Sequence, residues 1–270
     1  MELRASAFDA VAETYDRVRP SYPRALFVDL WEFAGAGHEP EILEVGAGTG
    51  KATAPLLTAG ARVTAVELGP NLAAFLGRKF AANPRLRVVN QAFEEAELPA
   101  AAFDMVVAAT AFHWLDPVTR LGRCHGLLRP GGTLAIIDTN QVASAADRGF
   151  FERCTPIYRR FYPDEAVSPL AGRDIVPPAF VEVEASGLFE DVRLWRYAWD
   201  QRYSTGEYGD LVRSYSNTQS LGGQRGEELV AELSALVDGE FEGYVVRPLV
   251  ITLVAARRPR TMAIERTSER

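Results

Sequence analysis

An apolar strand running into a turn with glycine at every second position constrains this chain more than any other feature. The stretch is Ile42-Leu43-Glu44-Val45-Gly46-Ala47-Gly48-Thr49-Gly50, followed by a helical segment from Lys51 to about Ala59. Glycines there permit positive φ and let the backbone approach a ligand closely at the carboxyl end of a parallel strand. A second apolar strand, ARVTAVEL over 61–68, carries Glu67 at its end, twenty-one positions beyond Gly46. A carboxylate so placed can accept both ribose hydroxyls of an adenosine moiety.

Other glycine-turn chemistries fit less well. A P-loop needs a glycine where Val45 stands and a Ser or Thr where Ala52 stands. The dinucleotide fingerprint needs its third glycine at Lys51, one position later than Gly50, which weakens a dehydrogenase reading. No G-x-S-x-G elbow and no HExxH occurs. A glycine turn can serve strand–helix packing alone, but strand, turn, helix, strand and terminal acid in succession favour a nucleoside ligand.

Around this motif strands alternate with helices, the pattern of a parallel sheet covered on both faces. Expected strands are 41–45, 61–68, 86–93, 103–110 and 133–138, with two more at 191–203 and 244–256. Before them, Phe8, Val11, Ala12 and Tyr15 share one helical face, and a second helix opens at Pro23 and stops near Gly35. Asp116-Pro117 is expected to cap a helix with Val118, Leu121, His125 and Leu128 buried, ending in the turn RPGG at 129–132. On that stripe His125 reads as a packed residue. Helical stretches are expected at Tyr208–Tyr215 and Leu229–Val237, and a frayed tail from Arg257.

Composition mainly excludes. With 29 Lys and Arg against 36 Asp and Glu, the net charge is −7, which argues against sequence-independent nucleic-acid binding. Cys124 and Cys154 make neither a disulfide framework nor a CxxC zinc site, and no metal is expected. The first ten residues, MELRASAFDA, carry charges where a signal peptide needs an apolar run, and the longest apolar stretches fall far short of a membrane span. A cytoplasmic protein with no membrane partner is expected. The sequence leaves its oligomeric state open.

ILEVGAGTGKAT (42–53), VTAVEL (63–68), FDMVVAATAFHWLD (103–116) and LRPGGTLAI (128–136) resemble the successive motifs of class I S-adenosylmethionine-dependent methyltransferases. FDAVAETYDRVRPSYP (8–23) resembles the N-terminal cap of the small-molecule group in that superfamily, of the methyltransferase type 11 kind. The resemblance covers residues 8–138, about half the chain. It implies an α/β, Rossmann-like, doubly wound fold: a mostly parallel seven-stranded sheet with an antiparallel last strand. It also implies one domain, with a helical cap (1–35), a cofactor core (41–140), acceptor-side helical insertions (141–190 and 204–240) and a flexible tail (257–270).

The resemblance assigns S-adenosylmethionine as cofactor. Gly46, Gly48 and Gly50 shape the loop under its methionine part, Glu44 helps hold the ammonium, Glu67 takes the ribose hydroxyls and Leu68 packs the adenine. The family's usual Asp after strand three is replaced by Gln91 before Ala92, so the adenine contact passes to Gln91 or Phe93. Thr110 lies under the amino-acid end. Tyr15 and Arg19 close over the cofactor, with Arg19 meeting its carboxylate.

Methyl transfer from a sulfonium is an in-line displacement, so positioning and exclusion of water dominate. A general base is needed only for an acceptor that loses a proton, and His113 is the candidate, the alternative being a role in ordering the loop. Trp114, Tyr158, Tyr162, Trp199, Tyr203 and Tyr215 are candidate acceptor-binding aromatics, which would favour an apolar or aromatic small molecule. Core packing competes with that reading. The expected activity is methylation of an O, N or C atom of a small-molecule acceptor. An RNA or protein methyltransferase, or a non-catalytic binder of S-adenosylmethionine or S-adenosylhomocysteine, remains the alternative.

Overall fold

A computed structural model describes residues 12–164 and 169–260 of the chain. Seven strands form one sheet: β1 (Glu41–Val45), β2 (Arg62–Val66), β3 (Leu86–Val89), β4 (Phe103–Ala109), β5 (Leu128–Gln141), β6 (Glu190–Ser204) and β7 (Tyr244–Arg257). Their order is β3-β2-β1-β4-β5-β7-β6. The first five pair in parallel, and β7 runs antiparallel to both β5 and β6. This is the expected doubly wound arrangement.

Parallel strands covered on both sides read as continuous apolar runs, and EILEV and FDMVVAA do so. Along β4, Val106 and Ala108 face one core with Phe112, Leu121 and Cys124, whereas Met105 and Val107 face the other with Leu26, Leu30 and Leu56. Helices α1 (Ala12–Val18), α2 (Arg24–Ala34), α3 (Thr53–Thr58), α4 (Pro70–Lys79) and α5 (Arg120–Leu127) belong to this first half. Helix α2 stops where expected because Gly35 adopts φ 58 at its C-cap, a conformation that costs glycine little.

The second half adds α6 (Phe150–Phe161), α7 (Pro178–Ser186), α8 (Thr205–Arg213), α9 (Ser216–Ser220) and α10 (Gly223–Glu240). Helices α6, α8 and α10 enclose a third core around Phe150, Leu211, Leu229 and Val237. A capping box at Ser204 and Glu207 opens α8, with the Glu207 carboxylate accepting from the Ser204 amide.

Several local expectations are corrected. Val118 is 88% exposed, because the helix begins only at Arg120 and the turn over Asp116–Thr119 turns Val118 outward. Asp116 instead accepts from the Val118 amide and the Thr119 hydroxyl. The RPGG stretch lies within β5 and is held by the end of β7: the Gly131 amide donates to the Arg258 carbonyl, and the Arg258 amide to Gly132. Arg257 is therefore the last residue of β7 and not the start of a free tail. Phe8 and Val11 lie outside the described residues, as does the Tyr15 side chain.

Candidate functional site

The glycine turn is built by the backbone. Gly46, Gly48 and Gly50 all take positive φ, and the Gly46 amide donates to the Val66 carbonyl at 2.8 Å, tying the end of β1 to the end of β2. The three glycines have different reasons to be glycine. A Cβ on Gly46 would lie 2.5 Å from the Ala111 Cβ, and one on Gly50 2.6 Å from both Leu76 and Phe80. One on Gly48 would meet nothing within 4 Å. Gly46 and Gly50 serve close packing, and Gly48 faces open space.

Glu67 stands immediately beyond β2, one residue past the strand. Its carboxylate accepts from the Gly48 amide at 2.7 Å and from the Gly69 amide at 2.8 Å. These bonds fix the carboxylate in place, and each oxygen retains acceptor capacity for a further donor. Asn90 steadies the following peptide by donating to the carbonyls of Glu67 and Leu68.

A cavity of about 340 Å³ opens at the carboxyl ends of β1, β2 and β4. This is where the strand order reverses, and open α/β sheets bind ligands at such switch points. Gly46, Gly48, Glu67, Leu68, Gln91, Ala92, Phe93, Thr110 and Arg19, all residues expected at the cofactor, line it. Leu68 is 46% exposed, an apolar side chain left uncovered at the cavity wall. Phe93 is buried, with the Arg123 guanidinium 4.9 Å from its ring centre.

Glu44 and Gly50 do not line the cavity. Glu44 is fully buried under the turn and accepts from the Thr53 hydroxyl at 2.6 Å. Burial pushes its pKa up to about 8, with the Glu67 charge adding to the shift and the Thr53 bond opposing it.

Thr110 follows β4 with φ 55, a strained conformation for a β-branched residue, and its amide bonds to the Ile137 carbonyl at 2.6 Å. Its hydroxyl lies 2.9 Å from that of Tyr22. The next turn, Phe112–Trp114, carries His113 and Trp114 into the cavity wall. The His113 side chain is 52% exposed and its Nδ1 lies 3.8 Å from an oxygen of Asp138 on β5, beyond hydrogen-bond range. Arg19 donates to the hydroxyl and the carbonyl of Ser214, pinning the N-terminal segment to the α8–α9 junction.

The expected aromatics divide. Trp114 and Tyr215 line the cavity; Tyr158, Tyr162, Trp199 and Tyr203 do not. Tyr158, Tyr162 and Tyr203 belong to the third core, and Trp199 packs on the sheet face that carries α2. Tyr158, Tyr162 and Tyr203 supply the apolar bulk with which α6, α8 and α10 bury one another, and Trp199 does so against the sheet face under α2. Sequence reasoning missed Tyr22, Asn90, Asp138, Ser216 and Asn217. Asp138 had a usable signal, a carboxylate ending TLAIID as Glu67 follows VTAV. Tyr22 lies in the cap stretch 8–23, where the resemblance singles out only Tyr15 and Arg19.

Residues 43–136 match the methyltransferase domain family. An uncharacterized methyltransferase of Mycobacterium bovis is 35% identical over 131 residues, 48% of this chain and 51% of that protein. The chain thus spans about half the length of the curated relatives it matches. A solved type II methyltransferase-like structure from Anaeromyxobacter dehalogenans superposes with a TM-score of 0.60 at 23% identity, covering 90% of this chain and 99% of that one. A Haemonchus contortus phosphoethanolamine N-methyltransferase, solved with S-adenosylhomocysteine, superposes with a TM-score of 0.55 at 16% identity, covering 93% and 57%. Among the described residues no helix is long and apolar enough to cross a membrane. The matched stretch, residues 43–136, runs from β1 into β5 and contains the glycine turn, Glu67 and the turn carrying His113.

Proposed function

We propose that the protein transfers a methyl group from S-adenosylmethionine to an O, N or C atom of a small-molecule acceptor, by in-line displacement. The observation that carries this reading is Glu67: a carboxylate clamped by two backbone amides on the wall of a cavity at the switch point of the sheet. The donor set fits the group, since the cavity joins that carboxylate to an uncovered apolar wall at Leu68 and to an open glycine position at Gly48.

When bound, S-adenosylmethionine supplies an electrophilic sulfonium methyl. Glu67 accepts the ribose hydroxyls, and Leu68, Leu72 and Phe93 keep water from the adenine side. Gln91, the polar residue at the rim beside Phe93, offers an amide where the family usually places a carboxylate. Thr110 and Arg19 face the amino-acid end. His113 takes the acceptor's proton where there is one to remove. A reducing, cytoplasmic setting suits Cys124 and Cys154, two free thiols whose pKa burial pushes up to about 12.

Calorimetric titration with S-adenosylhomocysteine tests the binding step, and the reading is abandoned if the folded protein takes up none. Release of S-adenosylhomocysteine with an acceptor library then separates an enzyme from a binder. His113→Ala is expected to lower turnover about 100-fold for a proton-losing acceptor while leaving cofactor affinity unchanged. Near-normal turnover removes His113 from the chemistry.

A further inference from the structure

A second cavity, of about 250 Å³, adjoins the first and shares Arg19, Thr110 and Tyr215 with it. Besides Arg19, placed above at the cofactor's amino-acid end, its lining holds two cationic side chains, Lys51 and Arg247, and among the described residues no carboxylate. In a chain of net charge −7 that concentration of one sign is unusual.

Arg247 is the informative member. It sits near the start of β7, just before the buried run 248–256, and its guanidinium donates to the hydroxyl of Tyr215 and the side-chain carbonyl of Gln141. Both partners are uncharged. Its Nε is buried and has no hydrogen-bond partner. A guanidinium carries five N–H donors, so most of this one's capacity is unused. Lys51 is similarly undercompensated: its amine donates to the Asp16 carbonyl at 2.6 Å, but the Asp16 carboxylate lies 3.9 Å away and is bound more closely, at 2.8 Å, by Lys79.

A buried guanidinium whose partners are all uncharged is costly, and an anion with oxygens to accept from Arg247 offsets that cost. Room is available, since an engineered cavity of about 150 Å³ takes up benzene. Thr139 and Gln141 at the end of β5 and Tyr22 from the N-terminal segment add polar groups beside the cations. The geometry points to this cavity as the subsite for the anionic group of the methyl acceptor, which is therefore a small organic acid bound through its carboxylate. The inference rests on the methyl-transfer reading above and names the acceptor class for that site. It replaces the apolar or aromatic acceptor suggested by the aromatic count, four members of which lie in the cores.

The test uses the full chain saturated with S-adenosylhomocysteine and titrated with benzoate and succinate, each against its amide. The acids are expected to bind and the amides to bind about tenfold more weakly or not at all, with Arg247→Met weakening the acids about tenfold and the cofactor less than about twofold. Equal binding of acids and amides, or binding of neither, overturns the proposal. So does an Arg247→Met variant that melts cooperatively yet loses cofactor and acid affinity in equal measure, because the cavity then serves the cofactor's own carboxylate. Should Arg247→Met not melt cooperatively, Lys51→Met carries the same comparison from a different element. Failure of the wild-type protein to bind S-adenosylhomocysteine would sink the methyl-transfer reading instead, and the acid titrations are then read in its absence.

Discussion

The glycine turn and the helical cover reach the same cavity by opposite means. At the turn, main-chain groups do the positioning: the Gly48 and Gly69 amides hold Glu67, and the Val66 carbonyl holds Gly46. In the cover, side chains pack on side chains around Phe150, and among the described residues only Tyr215, Ser216 and Asn217, at the α8–α9 junction, touch the cavity. Function in the first region depends on backbone conformation at a few positions. In the second it depends on a packed core that presents one edge. Local changes should therefore damage binding at the turn and stability in the cover.

The largest expected effect sharpens that contrast. Phe150→Ala empties the centre of the third core, where Phe151, Tyr208 and Phe241 meet its ring edge-on, and should cost about 3–5 kcal/mol in chemical denaturation. S-adenosylhomocysteine affinity of the protein that remains folded should be unchanged; a parallel loss would break the division. Glu67→Ala is the converse. It should weaken S-adenosylhomocysteine by about 100-fold in calorimetry, about 2.7 kcal/mol, since it removes the ribose acceptor and leaves the two amides without their partner.

Within the turn the glycines should separate. Gly46→Ala drives a Cβ to 2.5 Å from that of Ala111 and should destabilise by about 2–3 kcal/mol. Gly48→Ala meets nothing within 4 Å and bears only the left-handed strain, about 1 kcal/mol. Thermal melting of the two variants checks the order.

A further prediction concerns pH. Glu44 has its pKa raised from 4.5 to about 8, so the native state keeps a proton that the unfolded chain releases in that window. Its contribution to stability is thus full below about 4.5 and falls as pH rises toward 8. Glu44→Gln should flatten the decline of the melting temperature between these limits relative to wild type. An unchanged slope would show that Glu44 is ionised in the fold.

The strand–turn–helix–strand grammar was legible because both of its signals are local. Period and apolarity mark a buried parallel strand, and glycine marks a backbone that other residues adopt only under strain. Glu67, Leu68, Gln91 and Thr110 could be placed for the same reason: each lies just past a strand, and the ends of parallel strands share one edge of the sheet. The acceptor side was not legible in that way. Tyr158, Tyr203 and Trp199 look the same in sequence whether they face a ligand or a core, since an aromatic side chain suits either.

What the sequence determined by itself was the sheet, its glycine turn and the carboxylate that follows β2, all set by contacts within a few residues or between adjacent strands. Only the tertiary structure decided that Glu44 is buried beneath the glycine turn and that Val118 faces water. It alone brought Arg19, Lys51 and Arg247, separated by nearly the whole chain, to one cavity. Burial and long-range charge are properties of which segments meet, and no periodicity in a single segment encodes them.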